Sequence, residues 1–273
     1  MVNNCQIVNA TEKFSAIKVE DHLVKGVIDI LSVEEMLGIS VNGSPYTITM
    51  RTPGFEEEHT RGILLTEDVY TNRDVNPDFH ITEKNEKGFV TKVNVLIQES
   101  ELQQGINQQR NLLSVSSCGM CGKYEMDLTL HGKITQQETL KSNLIEAMFI
   151  ELVKHQQNFM DTGGCHAAGL FTLQGNMLDC KEDIGRHNAV DKVIGSLLLQ
   201  HRLNEAKILL VSGRVSYEIV SKAHKAGIPF LCSVSAPSSM AVDYCRQIGI
   251  TLLAFCRGSR FTVYSNEERI AFS

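Results

Sequence analysis

The chain has 273 residues, of which 42% are hydrophobic and 21% charged, so it can build a sizeable core as one large domain or two modest ones. Its net charge of −6 argues against a protein built mainly to bind nucleic acid, because such proteins usually present a basic face. No apolar run approaches the ~20 residues of a membrane helix and the polar N-terminus lacks a secretory pattern, so we expect a cytoplasmic protein with no membrane or nucleic-acid partner and with reduced cysteines.

The first hundred residues are predicted to be mostly β. Alternating side chains predict strands over 44–52 and within 88–99. Between them, the Glu-rich start of the segment 55–70 is typical of a helix N-terminus. The polar, Gln-rich stretch 98–111 follows, and we interpret it as a surface connection and a break in the organisation of the chain.

Helical spacing of apolar residues returns in the second half. It predicts a helix over 144–159 and another over 187–202, for which Asn188 is a plausible N-cap. Between these helices, two short strands are predicted around a turn at 174–176.

From residue 206 onward, predicted strands and helices alternate. The strands are nearly all apolar and are predicted over 206–213, 229–236 and 250–258. The helices open at serines and close at glycines, over 216–227 and 238–249. This rhythm predicts an α/β fold with a mixed, mainly parallel sheet covered by helices. We place this α/β domain at 113–273 and a smaller β-rich N-terminal domain at 1–112, with the loop 114–123 near their junction.

Three loops should meet at one edge of such a sheet, because ligands of open α/β sheets bind outside the carboxyl ends of the strands. They are 212–216, 235–239 and 256–260, and they contain Arg214, Arg257 and Arg260 among small and hydroxyl residues. Helix N-termini and arginines both favour phosphate groups. Glycine and serine are also ordinary turn and cap residues, so the anion-site and solvated-loop interpretations are evenly balanced.

A denser cluster of polar residues lies at the predicted start of the helix over 187–202. Gly185 can make the turn, Asn188 can cap the helix and Asp191 can complement its dipole. These local roles leave Arg186 and His187 unexplained, which favours a ligand or interface role for this pair.

Cys118 and Cys121 form a CxxC within the loop 114–123. Structural zinc needs four ligands, usually as two close pairs, and no second pair is evident. The flanking glycines favour a mobile loop over the helix start of a thioredoxin-like site, whereas Lys123 would favour a reactive thiolate. The residues alone therefore leave a redox dithiol and a persulfide-carrying thiol equally open.

The sequence resembles the formate dehydrogenase accessory sulfurtransferase family, FdhD/NarQ, in order from about residue 41 to residue 264. The stretches that carry the resemblance are "MRTPG", "SSCGMCGK", "TGGCHAAGLF", "EDIGRHNAVDK", "SGRVSYEIVSKA", "SAPSSMAV" and "FCRGSRFTVY". Cys165, within "TGGCHAAGLF", occupies a place where we expect a residue without a thiol. This departure leaves the CxxC untouched.

The resemblance implies a sulfurtransferase with a cysteine persulfide intermediate. Cys118 would receive sulfur from a cysteine desulfurase, with Cys121 as its partner, and pass it to the molybdenum cofactor, in its bis(molybdopterin guanine dinucleotide) form, for formate dehydrogenase. The resemblance also implies a cytidine-deaminase-like fold in the larger domain, a homodimer and no catalytic metal of the protein's own. It assigns cofactor binding to Phe255, Cys256, Arg257, Gly258, Ser259 and Arg260, and we add Arg186, His187 and Arg214 from the strand-end loops.

Two alternative functions stay open at this point. One is a chaperone that binds the molybdenum cofactor without chemistry. The other is a zinc-dependent nucleotide enzyme of the deaminase type, although the chain lacks the paired H-x-E and P-C-x-x-C elements of such enzymes.

Overall fold

The computed structural model describes residues 10–103, 106, 132–134 and 138–272. The strands are β1 (Thr11–Glu20), β2 (Leu23–Ser32), β3 (Glu35–Val41), β4 (Ser44–Arg51), β5 (Asp78–Lys84), β6 (Val90–Leu96), β7 (Leu140–Lys141), β8 (His166–Phe171), β9 (Met177–Asp183), β10 (Ile208–Val211), β11 (Phe230–Ser233), β12 (Thr251–Arg257), β13 (Arg260–Ser265) and β14 (Ile270–Ala271). The helices are α1 (Glu56–Thr66), α2 (Leu144–Lys154), α3 (Gln157–Thr162), α4 (Arg186–Leu199), α5 (Tyr217–Ala226) and α6 (Ser239–Ile248).

A six-stranded sheet in the order β13-β12-β11-β10-β8-β9 forms the centre of the C-terminal half. β10, β11 and β12 pair in parallel, whereas β8, β9 and β13 are added through antiparallel pairings. The prediction of a mixed sheet is confirmed, but the expectation that it is mainly parallel is wrong, since two of the five pairings are parallel. Apolar runs indicate burial on both faces of a sheet, and they leave the direction of the strands undetermined.

Helices cover both faces of this sheet. On one face, α4, α5 and α6 pack on side chains such as Leu209 and Leu231. On the other face, α2 packs on side chains such as Phe171 and Phe230. Alternate residues of each buried strand supply the two cores, as the period of two requires. The likeness to the cytidine deaminase fold and the domain boundary near residue 112 stay predictions.

The N-terminal half contains a second sheet, in the order β4-β3-β6-β5. Its core includes Leu37, Val93 and Val95, and α1 contributes Leu64 to it. The strands and the helix predicted in this half are therefore confirmed. None of the helices in the described ranges is long and apolar enough to cross a membrane.

The opposite side of α1 packs closely against α4, which joins the two halves of the chain. A Cβ atom at Gly62 would overlap the carbonyl oxygen of Asp191, and one at Gly195 would overlap that of Glu58. The two helix backbones therefore approach each other at a distance that only glycine permits at these positions.

Two details of the predicted helices are wrong. α4 begins one residue before His187, with Gly185 rather than Asn188 as its N-cap, because the Asn188 side chain donates to the carbonyl of Met50 at 2.8 Å. The helix predicted over 144–159 is divided into α2 and α3. The reason is tertiary, since the carboxylate of Glu182 in β9 accepts hydrogen bonds from the first free N–H groups of α3.

The predicted ends of α5 and α6 agree with the structure. Ser216 and Ser238 are the N-caps, and Gly227 and Gly249 end the helices in the left-handed conformation. Asp191, by contrast, does not serve the dipole of α4, because it is buried and its Oδ2 lies 2.8 Å from the ammonium of Lys222 in α5.

We predict that Gly62→Ala and Gly195→Ala each lower the free energy of unfolding by about 1–3 kcal/mol or more, because the added methyl group forces α1 and α4 apart. Urea unfolding followed by circular dichroism measures the effect. Gly38→Ala is the matched control, since its Cβ would meet no atom nearer than 3.6 Å. Equal stability of all three variants would contradict the close approach of the helices.

Candidate functional site

The carboxyl ends of the parallel strands present a continuous edge. Cys118 and Cys121 lie outside the described residues, so this edge is the part of the candidate site that the structure describes. The loops after β10 and β11 are joined by an isolated bridge between Val215 and Pro237. The Val215 N–H donates to Ala236 O at 3.1 Å, and the Ser238 N–H donates to Val215 O at 2.9 Å. As a result, the N-termini of α5 and α6 open side by side.

Arg186 and His187, at the start of α4, lie against the first of these loops. A Cβ atom at Gly213 would lie 3.3 Å from Arg186 Cβ, so glycine lets the loop approach this arginine closely. His187 Nε2 lies 3.4 Å from Ser216 Oγ and 3.1 Å from Glu218 Oε2. The pair that the sequence could not explain locally is thus placed beside the N-terminus of α5.

His166, at the start of β8, lies next to the loop after β10. Its Nδ1 lies 3.3 Å from Ser212 Oγ, and Ser212 Oγ also accepts a hydrogen bond from the Ala167 N–H at 2.9 Å. Burial lowers the pKa of His166, and the nearby charges of Arg186 and His187 lower it further. A half-buried, hydrogen-bonded imidazole agrees with the structural role that is commonest for a single histidine.

The exposed Arg214 lies in the first loop, and the hairpin turn 257–260 extends the same edge at β12. Phe255 precedes this turn with a φ of 56°, and its N–H donates to Ser235 O at 3.2 Å in the second loop. At the tip, a Cβ atom on Gly258 would lie 3.5 Å from Glu146 Oε1 of α2. The turn is therefore tied to the edge through Phe255 and inclines toward the α2 face of the sheet.

Cys256 differs from its neighbours in this turn. Phe255, Arg257, Gly258, Ser259 and Arg260 are exposed, whereas the Cys256 side chain is 2% exposed and belongs to the core beneath α2. Burial raises the pKa of its thiol to about 12. Cys256 can therefore contact a ligand at this edge through its backbone only.

A network of hydrogen bonds and one ion pair, centred on Asp183, holds the strand-end edge together, and the sequence pattern did not predict it. The Asp183 carboxylate, at the end of β9, is fully buried and accepts from Lys192 Nζ at 2.7 Å and from the Thr52 N–H at 3.1 Å. It also accepts from the Gly185 N–H at 2.8 Å and from Asn188 Nδ2 at 3.0 Å. The available signal was that Thr52 lies in "MRTPG" and Asp183 in "EDIGRHNAVDK", two stretches that carry the family resemblance.

Cys165 lies next to this network. Its Sγ lies 3.0 Å from Asn158 Nδ2, 3.1 Å from Ser32 Oγ and 3.8 Å from Thr52 Oγ1. Burial raises the pKa of this thiol, although the Ser32 and Thr52 hydroxyls lower it in part. Within the described ranges, no three His, Cys, Asp or Glu side chains are grouped so that they could hold a metal ion.

Four stretches that are distant in sequence therefore meet at one sheet edge. Hydrogen bonds of 3.2 Å or less join them in pairs, as from Asn188 to Met50 and from Ala167 to Ser212. The stretches are 50–54, 162–169, 182–192 and 212–216. An edge of this kind, with two adjoining helix N-termini and arginines beside them, defines an α/β protein suited to an anionic, phosphate-bearing ligand.

Comparison with known proteins agrees with the family resemblance. The sequence profile of the FdhD/NarQ family matches residues 32–271, and the chain belongs to that family. Three relatives are each named "Sulfur carrier protein FdhD". The protein from Streptomyces avermitilis is 40% identical over 270 residues, covering 96% of both chains. The protein from Mycobacterium tuberculosis is 42% identical over 253 residues, covering 89% of this chain and 92% of the relative.

The third relative, from Sulfolobus acidocaldarius, is 41% identical over 261 residues, covering 93% of this chain and 96% of the relative. A solved structure from Desulfotalea psychrophila, described as a "putative formate dehydrogenase accessory protein", superposes with a TM-score of 0.75 at 21% identity. It covers 96% of this chain and 100% of its own. This likeness shows that the two proteins share a fold.

We predict that Asp183→Ala lowers the free energy of unfolding by about 3–5 kcal/mol, because it leaves the Lys192 ammonium buried without its counter-ion. Urea unfolding measures the loss. Adding Lys192→Met to Asp183→Ala should recover part of it, since no uncompensated charge then stays buried. Glu205→Ala, in the exposed ion pair with Arg202, should leave the unfolding midpoint unchanged. A similar midpoint for Asp183→Ala and Glu205→Ala would contradict the role of this network.

Proposed function

We propose that this protein is a sulfurtransferase that carries sulfur as a persulfide on Cys118 and delivers it to the molybdenum cofactor used by formate dehydrogenase. Three relatives named as sulfur carrier proteins, at 40–42% identity over about nine-tenths or more of the chain, support sulfur transfer. The solved structure with the same fold supports a link to formate dehydrogenase. The cargo is the bis(molybdopterin guanine dinucleotide) form of the cofactor, which we treat as a substrate.

The chemistry needs one reactive thiolate and one donor persulfide. The Cys118 thiolate attacks the outer sulfur of the persulfide on a cysteine desulfurase, which forms an S–S bond on Cys118 and breaks the S–S bond of the donor. The desulfurase cysteine leaves as a thiolate, so charge and sulfur balance. Glycines and Lys123 beside the CxxC favour, respectively, the motion and the thiolate that this step requires.

Release of the sulfur can use the second cysteine. The Cys121 thiolate attacks Cys118 Sγ, a Cys118–Cys121 disulfide forms, and the outer sulfur leaves as sulfide to the molybdenum centre. A dithiol reductant must then reduce the disulfide before the next cycle. The alternative is direct transfer, in which the S–S bond breaks, Cys118 leaves as a thiolate and the accepting molybdenum centre supplies the two electrons that bring the outer sulfur to the sulfide level. Cys121→Ala distinguishes the two routes.

The strand-end edge is the proposed binding site for the guanine dinucleotide arm of the cofactor. The observation that supports it best is the joining of the loops after β10 and β11, which sets two helix N-termini beside Arg186, His187 and Arg214. Phosphates are the anions that such N-termini and guanidinium groups bind most readily. The turn 255–260 would add Arg257 and Arg260 from the α2 side.

The partners follow from the same chemistry. A cysteine desulfurase supplies sulfur and formate dehydrogenase receives the finished cofactor. We place the reaction in the cytoplasm, where thiols stay reduced, and propose a homodimer with a cytidine-deaminase-like larger domain.

We predict that the wild-type protein gains the mass of one sulfur atom on the peptide containing Cys118 after incubation with a cysteine desulfurase and cysteine. Cys118→Ala should lose this gain and should fail to support formate dehydrogenase activity in cells. Cys165→Ala is the matched control, because the Cys165 thiol of the wild type is buried. In this variant the peptide containing Cys118 should still gain sulfur. Full formate dehydrogenase activity with Cys118→Ala and Cys121→Ala would favour a cofactor-binding chaperone instead.

We predict that Arg214→Ala weakens the binding of GDP, the probe for the dinucleotide arm, by about tenfold or more, because a charge-assisted hydrogen bond contributes about 1.5–3 kcal/mol. Isothermal titration calorimetry measures the affinity. Arg246→Ala is the control, since Arg246 is an exposed arginine in the last turn of α6, at the opposite end from its N-terminus. Equal GDP affinity for both variants would contradict phosphate binding at this edge.

A further inference from the structure

The hairpin of β1 and β2 projects from the rest of the molecule. In the part of the chain that the structure describes, these two ten-residue strands form a sheet of their own. The hairpin is fixed at its base, where Lys87 Nζ lies 3.0 Å from the Glu12 carboxylate and Ser32 Oγ lies 2.8 Å from Thr162 Oγ1. At the tip, Asp21 and His22 both have a positive φ, which is the pattern of a type I′ turn.

The two faces of this hairpin differ in charge between residue 15 and the tip. Cross-strand pairs assign each side chain to a face, because directly opposed residues share one side. We call one side the apolar face, and it consists of Ser15, Ile17, Val19, Val24, Gly26 and Ile28. The opposite face carries all the charged side chains of this part of the two strands, which are Lys18, Glu20 and Lys25.

The apolar face is open to solvent. Ile17, Val19, Val24 and Ile28 are 73, 64, 71 and 64% exposed. An isolated two-stranded hairpin is marginally stable in water, and a contiguous exposed apolar surface on a two-stranded ribbon marks an interaction site. Because the base of the hairpin is held by Lys87 and Thr162, this face is presented in a fixed position.

The size and chemistry of the apolar face suit a second copy of itself. The four exposed side chains present roughly 500 Å², so two such faces in contact would bury on the order of 1,000 Å², the size at which specific interfaces begin. A two-fold interface brings the same surface of two chains together. A patch with charges of one sign would therefore face, and repel, the same charges on the second copy. This face has no charge, and it lets two chains with a net charge of −6 meet without opposing carboxylates.

We propose that the apolar face of the β1–β2 hairpin packs against the same face of a second copy of this chain. The inference assigns a surface to the homodimer included in the proposed function, and it does not depend on sulfur transfer. Each hairpin would then cover the exposed apolar side chains of the other, and the two hairpins together would form a two-layered core.

Adjacent residues on opposite faces give a matched test. Val24→Arg places a charge on the apolar face, and Leu23→Arg places the same charge on the opposite face at a similar exposure of 74%. Sedimentation over a range of concentrations measures the mass, which is 30.4 kDa for one chain. We expect the wild type and Leu23→Arg to sediment at twice this mass, and Val24→Arg to raise the dimer dissociation constant at least tenfold.

A second variant separates disruption of the interface from misfolding. A Cβ atom at Gly26 would meet no atom within 4 Å, so Gly26→Arg fits the single chain and blocks only a surface packed on the apolar face. Its circular dichroism spectrum should match the wild type while its dimer dissociates. A wild-type monomer would overturn both the dimer and its surface, whereas a dimer that survives Val24→Arg and Gly26→Arg would overturn the surface alone. Sulfur loading of Cys118 would be unaffected by either result.

Discussion

The arrangement of the candidate site depends on one buried ion pair, between Asp183 and Lys192. Both side chains are 1% exposed or less, and such a pair persists in a low-dielectric interior only when further hydrogen bonds satisfy its remaining atoms. Here Lys192 Nζ also donates to the Thr52 carbonyl at 2.7 Å, and Thr52 Oγ1 accepts from the Ile184 N–H at 3.0 Å. The pair thereby fastens the end of β4 to the turn between β9 and α4.

The part of the strand-end edge that α4 contributes is placed relative to that turn. α4 starts immediately after it, so the positions of Arg186 and His187 follow from the position of Asp183. The close packing of α1 on α4, through Gly62 and Gly195, holds the same helix from its other side. At the start of α4, Arg186 lies against Gly213, so its side chain is placed beside the loop that leads into α5.

Parts of this edge could be predicted from the sequence, and parts could not. Alternating apolar strands and capped helices predicted three loops at one edge, and local roles could not explain Arg186 and His187, which indeed lie there. The same reasoning assigned Asn188 to a helix cap and Asp191 to a helix dipole. Both assignments are wrong, because each side chain instead bonds to a partner more than 30 residues away, namely Met50 and Lys222.

The sequence by itself determined the class of fold, the ends of α5 and α6, and the family, because apolar periodicity, serine caps, terminal glycines and long motifs are local properties of the chain. Only the tertiary structure decided the direction of the outer strands, the division of α2 from α3 and the meeting of "MRTPG" with the end of β9. These features depend on contacts between distant residues, such as Glu182 with the start of α3 and Thr52 with Asp183. The burial of Cys256 beside exposed arginines has the same origin, since a bulge near Phe255 sets which side chains turn inward.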